Sequence, residues 1–468
     1  MTPPTPGSIL SSLWTFMEGP ADALSSVALE GPAAGLPSVY PVAEAAIAQV
    51  AAATLAVAEV HAARTGSSMR RVHVDARHVV AAFRSERYLR AVGWDLPAVW
   101  DPIAGDYASD DTWIRLHTNY AYHRDAVLRV LEVPCEREAV ASAVRNWKAD
   151  ALETAVVQAG GCAAVMRTSD AWQRHPQGMA VAGEPLVHRE TGERAAPPAR
   201  LAGLRDGDPP LARVRVLDLT RVIAGPVCTR VLAAYGADVV RVDPPGFREV
   251  GALLPDTTAG KRRVALDLHL VADRGAFEKL VEGAHVLVSG YRGDALDRLG
   301  YSARELHAKN PGIVLASLDA YGFSGPWRAR RGFDSLVQMS CGIAARGAEA
   351  AGAKKPTPLP AQALDHGTGY LLAAAVCRAL TRSIKRGEIA AVRLSLASTA
   401  RWLTALGETG DPRGLEFTPA DAAPWMESSD TAWGRIERVR CPGRIEGLTP
   451  AWRRPAGPLG TDTPVWSD

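Results

Sequence analysis

The stretch VRVLDLTRVIAGPVCTRVLAAYGADVVRVDPPG, residues 214–246, decides the fold. Val214-Arg215-Val216-Leu217-Asp218-Leu219 is short, apolar and rich in β-branched residues, the pattern of a buried strand. Ala224-Gly225-Pro226-Val227-Cys228 opens a helix that runs through Ala234 and closes at Gly236. Val239-Val240-Arg241-Val242 is a second strand, stopped by the turn Asp243-Pro244-Pro245-Gly246. The rhythm continues with strands over 264–268, 286–288 and 313–318 and helices over 272–281 and 303–309. Short apolar strands alternating with helices imply an α/β fold, a Rossmann-like doubly wound parallel sheet. Ligands in such sheets lie beyond the carboxyl ends of the strands.

The chain outside this stretch has a different texture. Residues 1–35 are rich in Pro, Gly and Ser and read as a flexible arm. An Ala-rich helix over 40–63 ends in the turn Arg64-Thr65-Gly66, followed by a strand over 71–75 and a helix over 76–83. Residues 84–185 mix polar turns, a strand over 112–116 and helices near 122–131 and within 136–159. Residues 191–211, with Pro197, Pro198, Pro209 and Pro210, read as a linker.

Composition narrows function. The chain has 468 residues with 53 Lys+Arg against 51 Asp+Glu, a net charge of +2. That balance speaks against a protein that coats nucleic acid. Six cysteines are scattered singly, so neither a structural zinc site nor a disulfide framework is expected. The N-terminus lacks the basic and apolar regions of a signal peptide, and the Ala/Val stretch at 42–60 carries Glu44, Gln49 and Glu59. A cytoplasmic protein with no membrane partner is expected. Only seven lysines occur, which makes Lys261 conspicuous.

Three segments carry chemistry. Ala224-Gly225-Pro226 after the first strand is either an ordinary helix start or a place of close backbone approach to a ligand. Ala259-Gly260-Lys261-Arg262-Arg263 is either a phosphate site or a solvated basic turn. Asp365, in Gln362-Ala363-Leu364-Asp365-His366-Gly367-Thr368-Gly369, precedes a helix expected over 370–381. It is either an N-cap or a carboxylate held at a helix dipole for chemistry. Gly367 and Gly369 would leave room above it for a substrate. His366 reads as an exposed loop residue.

Taken together, these motifs resemble family III CoA-transferases. Val216-Leu217-Asp218-Leu219-Thr220-Arg221-Val222 with Ala224-Gly225-Pro226 is similar to the family's opening. Gly236-Ala237-Asp238, Gly260-Lys261-Arg262-Arg263, Ala295-Leu296-Asp297-Arg298-Leu299-Gly300, Tyr321-Gly322-Phe323-Ser324-Gly325-Pro326 and Gly332-Phe333-Asp334 follow in order. The Asp365 loop is similar to the family's nucleophile loop. The resemblance spans roughly 212–400. It implies a CoA-transferase in which Asp365 forms an acyl mixed anhydride and then an aspartyl-CoA thioester. It implies that Val222, Ile223, Ala224, Ala259, Gly260, Lys261, Arg262 and Arg298 hold CoA. Phe333, Asp334, Gly367 and Gly369 would line the acyl end, with backbone amides of the glycine loop as oxyanion donors. No metal and no tightly bound cofactor are implied; coenzyme A, as acyl-CoA, and a small carboxylic acid are substrates. The family forms interlocked homodimers, which implies a homodimer here.

The chain departs from the family pattern in four places. Phe333 stands where the family's racemases carry a His. Ser289-Gly290-Tyr291-Arg292-Gly293 replaces the usual Glu-Asn-Phe segment, and Thr258 replaces an Asn. The N-terminal half, 36–190, looks like a partial second copy, in which Glu44 falls opposite Asp365. Residues 107–185, with Asp111-Thr112-Trp113-Ile114 and His175-Pro176-Gln177-Gly178, resemble the family's small second domain, which implies a smaller α+β domain beside the Rossmann-like sheet. The domain reading is then an arm (1–35), a partial family-like half with the small domain (36–190), the linker (191–211), a CoA-binding unit (212–400) and a return segment with tail (401–468). A racemase or isomerase on the same fold, or a non-catalytic CoA-binding homologue, are the alternative functions.

Overall fold

The structure, a computed structural model, describes residues 3–192, 201 and 203–467. Its largest element is a seven-stranded sheet. In spatial order the strands are Lys261–Ala265, Asp238–Asp243, Arg215–Leu219, Val286–Ser289, Val314–Asp319, Ala390–Ser395 and His188–Thr191. The first six are parallel, so the strands of the C-terminal half run 3-2-1-4-5-6 in chain order, the doubly wound order. The seventh is antiparallel and comes from the N-terminal half. Val216, Leu217, Val240, Val264, Leu287 and Val288 are fully buried, as strands covered on both faces require.

A smaller α+β domain precedes the sheet. The antiparallel strands Gly105–Ala108, Trp113–Leu116 and Ala163–Val165 are joined by helices Ala121–Leu131, Arg137–Val144 and Ala149–Gln158. Ile103, Ile114, Leu116, Val127 and Leu152 form their separate core. The fold class expected from the sequence is the one observed.

Two long helices lie against each other at the centre, Val42–Thr65 and Ala363–Arg386. The first is long and apolar enough to cross a membrane by composition, yet 94% of its most apolar window is buried inside the protein. Both helices are rich in fully buried small residues, among them Ala46, Ala52, Ala56, Ala374 and Ala379.

The loose arm expected over 1–35 is instead partly a helix, Pro6–Phe16. Thr5 caps it in a reciprocal box with Ser8, Pro6 occupies its first turn, and Ile9, Leu10, Leu13 and Trp14 are buried. The capping residues that start this helix are the same Thr, Pro and Ser that read as loop by composition. Of the linker, Pro197 and Pro198 lie outside the described residues. Its flanks are tied down, since the buried Arg64 guanidinium donates to the carbonyls of Leu201, Pro210 and Ala212 at 3.0, 2.7 and 2.7 Å. The return segment reaches back to the N-terminal half. The hairpin Met426–Thr431/Gly434–Val439 pairs with Arg90–Val92, and Arg444–Ile445 pairs with Val72–Asp75.

Candidate active site

The loops at the carboxyl ends of the parallel strands enclose a cavity of about 420 Å³. Arg221–Ala224, Pro244, Leu266–His269, Gly290–Arg292 and Asp319–Ala320 form the sheet side, and Arg330–Phe333, Asp365 and Leu396 close the far side. Tyr120, Tyr122 and His123 reach in from the smaller domain.

Val222, Ile223 and Ala224 line the cavity. Val222 has φ 64°. A β-branched residue in the left-handed region costs on the order of 1–3 kcal/mol, and such strain collects at functional sites. Glu249 holds this turn. It accepts the Val222 amide (3.2 Å), the Arg241 guanidinium (3.1 Å) and the Tyr120 hydroxyl (2.5 Å). The smaller domain is thereby tied to the loop expected to carry CoA.

Asp365 lies in the first turn of its helix, which begins at Ala363 and not near 370. The capping alternative belongs to another residue. Asp334 Oδ2 accepts the amides of Leu364 (2.8 Å) and Asp365 (3.0 Å), and its Oδ1 is held by Gln338. Asp334 is therefore a buried cap and not an acyl contact, a correction to the sequence expectation. Because Asp334 does the capping, the Asp365 carboxylate is left facing the cavity, with no hydrogen bond to it among the described residues. Burial, then Asp334, then Glu86 push its pKa well above the usual carboxylate range. A desolvated, high-pKa carboxylate is a stronger nucleophile once ionised.

Gly367 and Gly369 do not open space for a substrate. Both lie within the helix, so their amides are committed to helical hydrogen bonds and are not oxyanion donors. A Cβ on Gly367 would meet the Gln49 side chain at 2.7 Å, and one on Gly369 would meet the Ala224 carbonyl oxygen at 2.5 Å. They let neighbouring helices approach. Gly369→Ala should therefore destabilise the fold by about 1–3 kcal/mol in urea unfolding, although Gly→Ala in an open helix gains about 1 kcal/mol.

The basic turn is also reassigned. Lys261 is fully buried at the start of a strand, and its ammonium donates to Asp218 Oδ2 (2.8 Å) and Thr229 Oγ1 (2.7 Å). Arg262 pairs with Asp238, and Ala259 is buried. Gly260 lines a different cavity, shared with Arg215, Asp238 and His285 at the opposite end of the sheet. Arg298 pairs with Asp294 at 2.6 Å on the surface and lies close enough to help Arg331 lower the Arg292 pKa. Burial first, then Arg331 and Arg298, lower that pKa. Such a crowd of cations at a cavity is relieved by an anionic ligand. Arg221, also at the cavity, stacks on Phe247 at 3.6 Å and on Tyr291 at 4.9 Å.

Phe333 lines the cavity and stacks on His117 with centroids 3.7 Å apart. His123 stands edge-on to Phe333 at 5.9 Å. Burial holds both imidazoles neutral, and neither Nδ1 has a hydrogen bond. Asp319, pushed up to about 7 by burial, ends the fifth parallel strand at the cavity. His366 is not exposed; it is 1% exposed and bonded to Glu86 at 3.0 Å. Sequence reasoning missed Tyr120, Tyr122, His123, Arg292 and Asp319. Arg292 and Asp319 had a findable signal, since both stand at the carboxyl ends of recognised strands.

Residues 211–410 match the family model CoA-transferase family III. The chain is 33% identical over 198 residues to an acetyl-coenzyme A transferase of Hypoxylon pulicicidum, covering 42% of this chain and 33% of that protein. It is 31% identical over 209 residues to a probable fatty acyl-CoA transferase of Mycobacterium tuberculosis, covering 42% and 52%. A formyl-CoA:oxalate CoA-transferase of Rhodopseudomonas palustris is 32% identical over 181 residues, covering 36% and 41%. The match thus spans a third to about half the length of these relatives. A crystal structure from Mycobacterium tuberculosis is 30% identical and covers 42% of this chain and 57% of that one, with a TM-score of 0.38.

Proposed function

We propose that the protein transfers CoA from an acyl-CoA thioester to a carboxylic acid, with Asp365 as nucleophile. The observation that carries this reading is the Asp365 carboxylate, facing the cavity while Asp334 caps its helix. Asp365 attacks the thioester carbonyl, and the C–S bond breaks to give a mixed anhydride and CoA thiolate. The thiolate attacks the aspartyl carbonyl, releasing the first acid and leaving an aspartyl-CoA thioester. The acceptor carboxylate attacks that thioester to form a second anhydride and free the thiolate again. The thiolate then takes the new acyl group, and Asp365 is regenerated as a carboxylate. Each step moves an acyl group between a carboxylate and a thiolate, so no redox partner is needed.

Arg221 and Arg292 are the cations proposed to meet the CoA phosphates. Arg292→Ala should raise KM for acyl-CoA roughly ten- to hundred-fold, the loss of one charge-assisted contact, with a smaller change in kcat. An unchanged KM would remove Arg292 from the site. The function itself is tested by a panel of acyl-CoA donors against carboxylate acceptors, with hydroxylamine trapping followed by peptide mass spectrometry. Hydroxamate formation at Asp365 during turnover is expected. Transfer without modification of Asp365 would overturn the mechanism.

A further inference from the structure

The two central helices share one construction. Each has 24 residues. Each follows a residue of nearly the same backbone geometry, Pro41 at φ −76°, ψ 64° and Gln362 at φ −73°, ψ 60°. Each ends on a left-handed glycine, Gly66 at φ 72° and Gly387 at φ 67°. Each leads to a strand, Val72–Asp75 or Ala390–Ser395, whose last residue caps the next helix with its side chain. Each strand has a parallel neighbour on one side, Val27–Glu30 or Val314–Asp319, and an antiparallel neighbour on the other.

Those antiparallel neighbours are exchanged. The C-terminal sheet receives His188–Thr191 from the N-terminal half, and the N-terminal sheet receives Arg444–Ile445 from the C-terminal half. Reciprocal exchange across a pair of like helices is the arrangement of two subunits about a two-fold axis. Here it occurs within one chain.

The active site follows the same division. From the N-terminal half, Phe83 stacks on His366 (5.4 Å) and Glu86 bonds to it (3.0 Å), beside Asp365. His117 covers Phe333, and Tyr120 fixes Glu249 under the strained Val222 turn. The reverse site has no counterpart. Glu44 holds the third position of its helix, as Asp365 does, but the seven-stranded sheet occurs once among the described residues.

We propose that the N-terminal half is a built-in second subunit. It completes one active site in cis, and the protein works as a monomer with a single CoA site. The homodimer implied by resemblance is then unnecessary for the chemistry. The assembly half of this proposal stands apart from the transfer reading, and only the catalytic readout rests on it.

The test uses the full chain. Light scattering should give about the chain mass of 49.7 kDa, and two differently tagged copies expressed together should not co-purify. A stable dimer that exchanges its halves would overturn the proposal even if no transfer activity were found. The catalytic arm co-expresses Asp365→Asn with Glu86→Gln, each inactive or impaired alone. A site built in cis gives no restoration, whereas a site shared between chains restores about a quarter of the sites by random pairing. Should Glu86→Gln retain full activity, His117→Ala replaces it in the same design. Restoration with either partner overturns the cis assignment.

Discussion

Asp365→Asn will abolish CoA exchange and, above neutral pH, raise the melting temperature. The loss of the nucleophile should cost roughly 10³-fold or more in kcat, with acyl-CoA binding retained. The gain in stability has an electrostatic origin. Burial, with Asp334 and Glu86 adding repulsion, raises the folded-state pKa of Asp365 above its unfolded value. A carboxyl of this kind contributes its full stability below the ordinary carboxylate pKa of about 4 and loses it as pH rises through the folded value. Asparagine is neutral throughout and loses nothing. The melting difference between variant and parent should therefore be small near pH 4 and widen steadily toward pH 8. The same shift predicts that transfer by the parent protein rises with pH along its acid limb, because only ionised Asp365 attacks. Melting scans across pH, run beside exchange assays, decide the matter. Retained exchange would end the nucleophile assignment, and a variant less stable than the parent at pH 8 would end the electrostatic account.

The second large effect is expected at Lys261, and it is structural. Lys261→Met leaves Asp218 fully buried without its ammonium partner. Burial alone would push the Asp218 carboxyl up, yet Lys261 and Arg241 hold it below its ordinary value. Thr220 and Thr229 still donate to it at 2.5 and 2.7 Å, but hydroxyls do not replace a charge at zero exposure. Breaking such a pair costs about 3–5 kcal/mol. A urea titration should show that loss in the midpoint, while KM for acyl-CoA in the folded fraction stays near the parent value. A phosphate ligand would behave in the opposite way, with a large rise in KM and an unchanged midpoint.

Lys261 shows why sequence reading falters at this point. In the string Gly260-Lys261-Arg262-Arg263 all three cations look alike. Which of them faces ligand depends on strand register, and Lys261 opens the strand with its side chain toward Asp218, 43 residues away. Asp365 shows the converse. Its place beside a helix start was legible, because dipole and capping preferences act within a turn. That Asp334 supplies the cap, from 31 residues away, was not legible. His366 read as exposed because the glycines around it suggested a loop. Those glycines are instead where Gln49 and Ala224 press against the helix.

By itself the sequence determined the alternation of strands and helices, the parallel sheet and the position of Asp365. These follow from periodicity and from charge at a helix end, both of which act over a few residues. Only the tertiary structure decided which arginines face the cavity, which carboxylate is left open for chemistry, and that the N-terminal half forms part of the site. Those outcomes rest on pairs far apart in the chain, such as Glu86 with His366 across 280 residues. No local pattern encodes such contacts; they exist because two like helices pack against each other and bring the halves together.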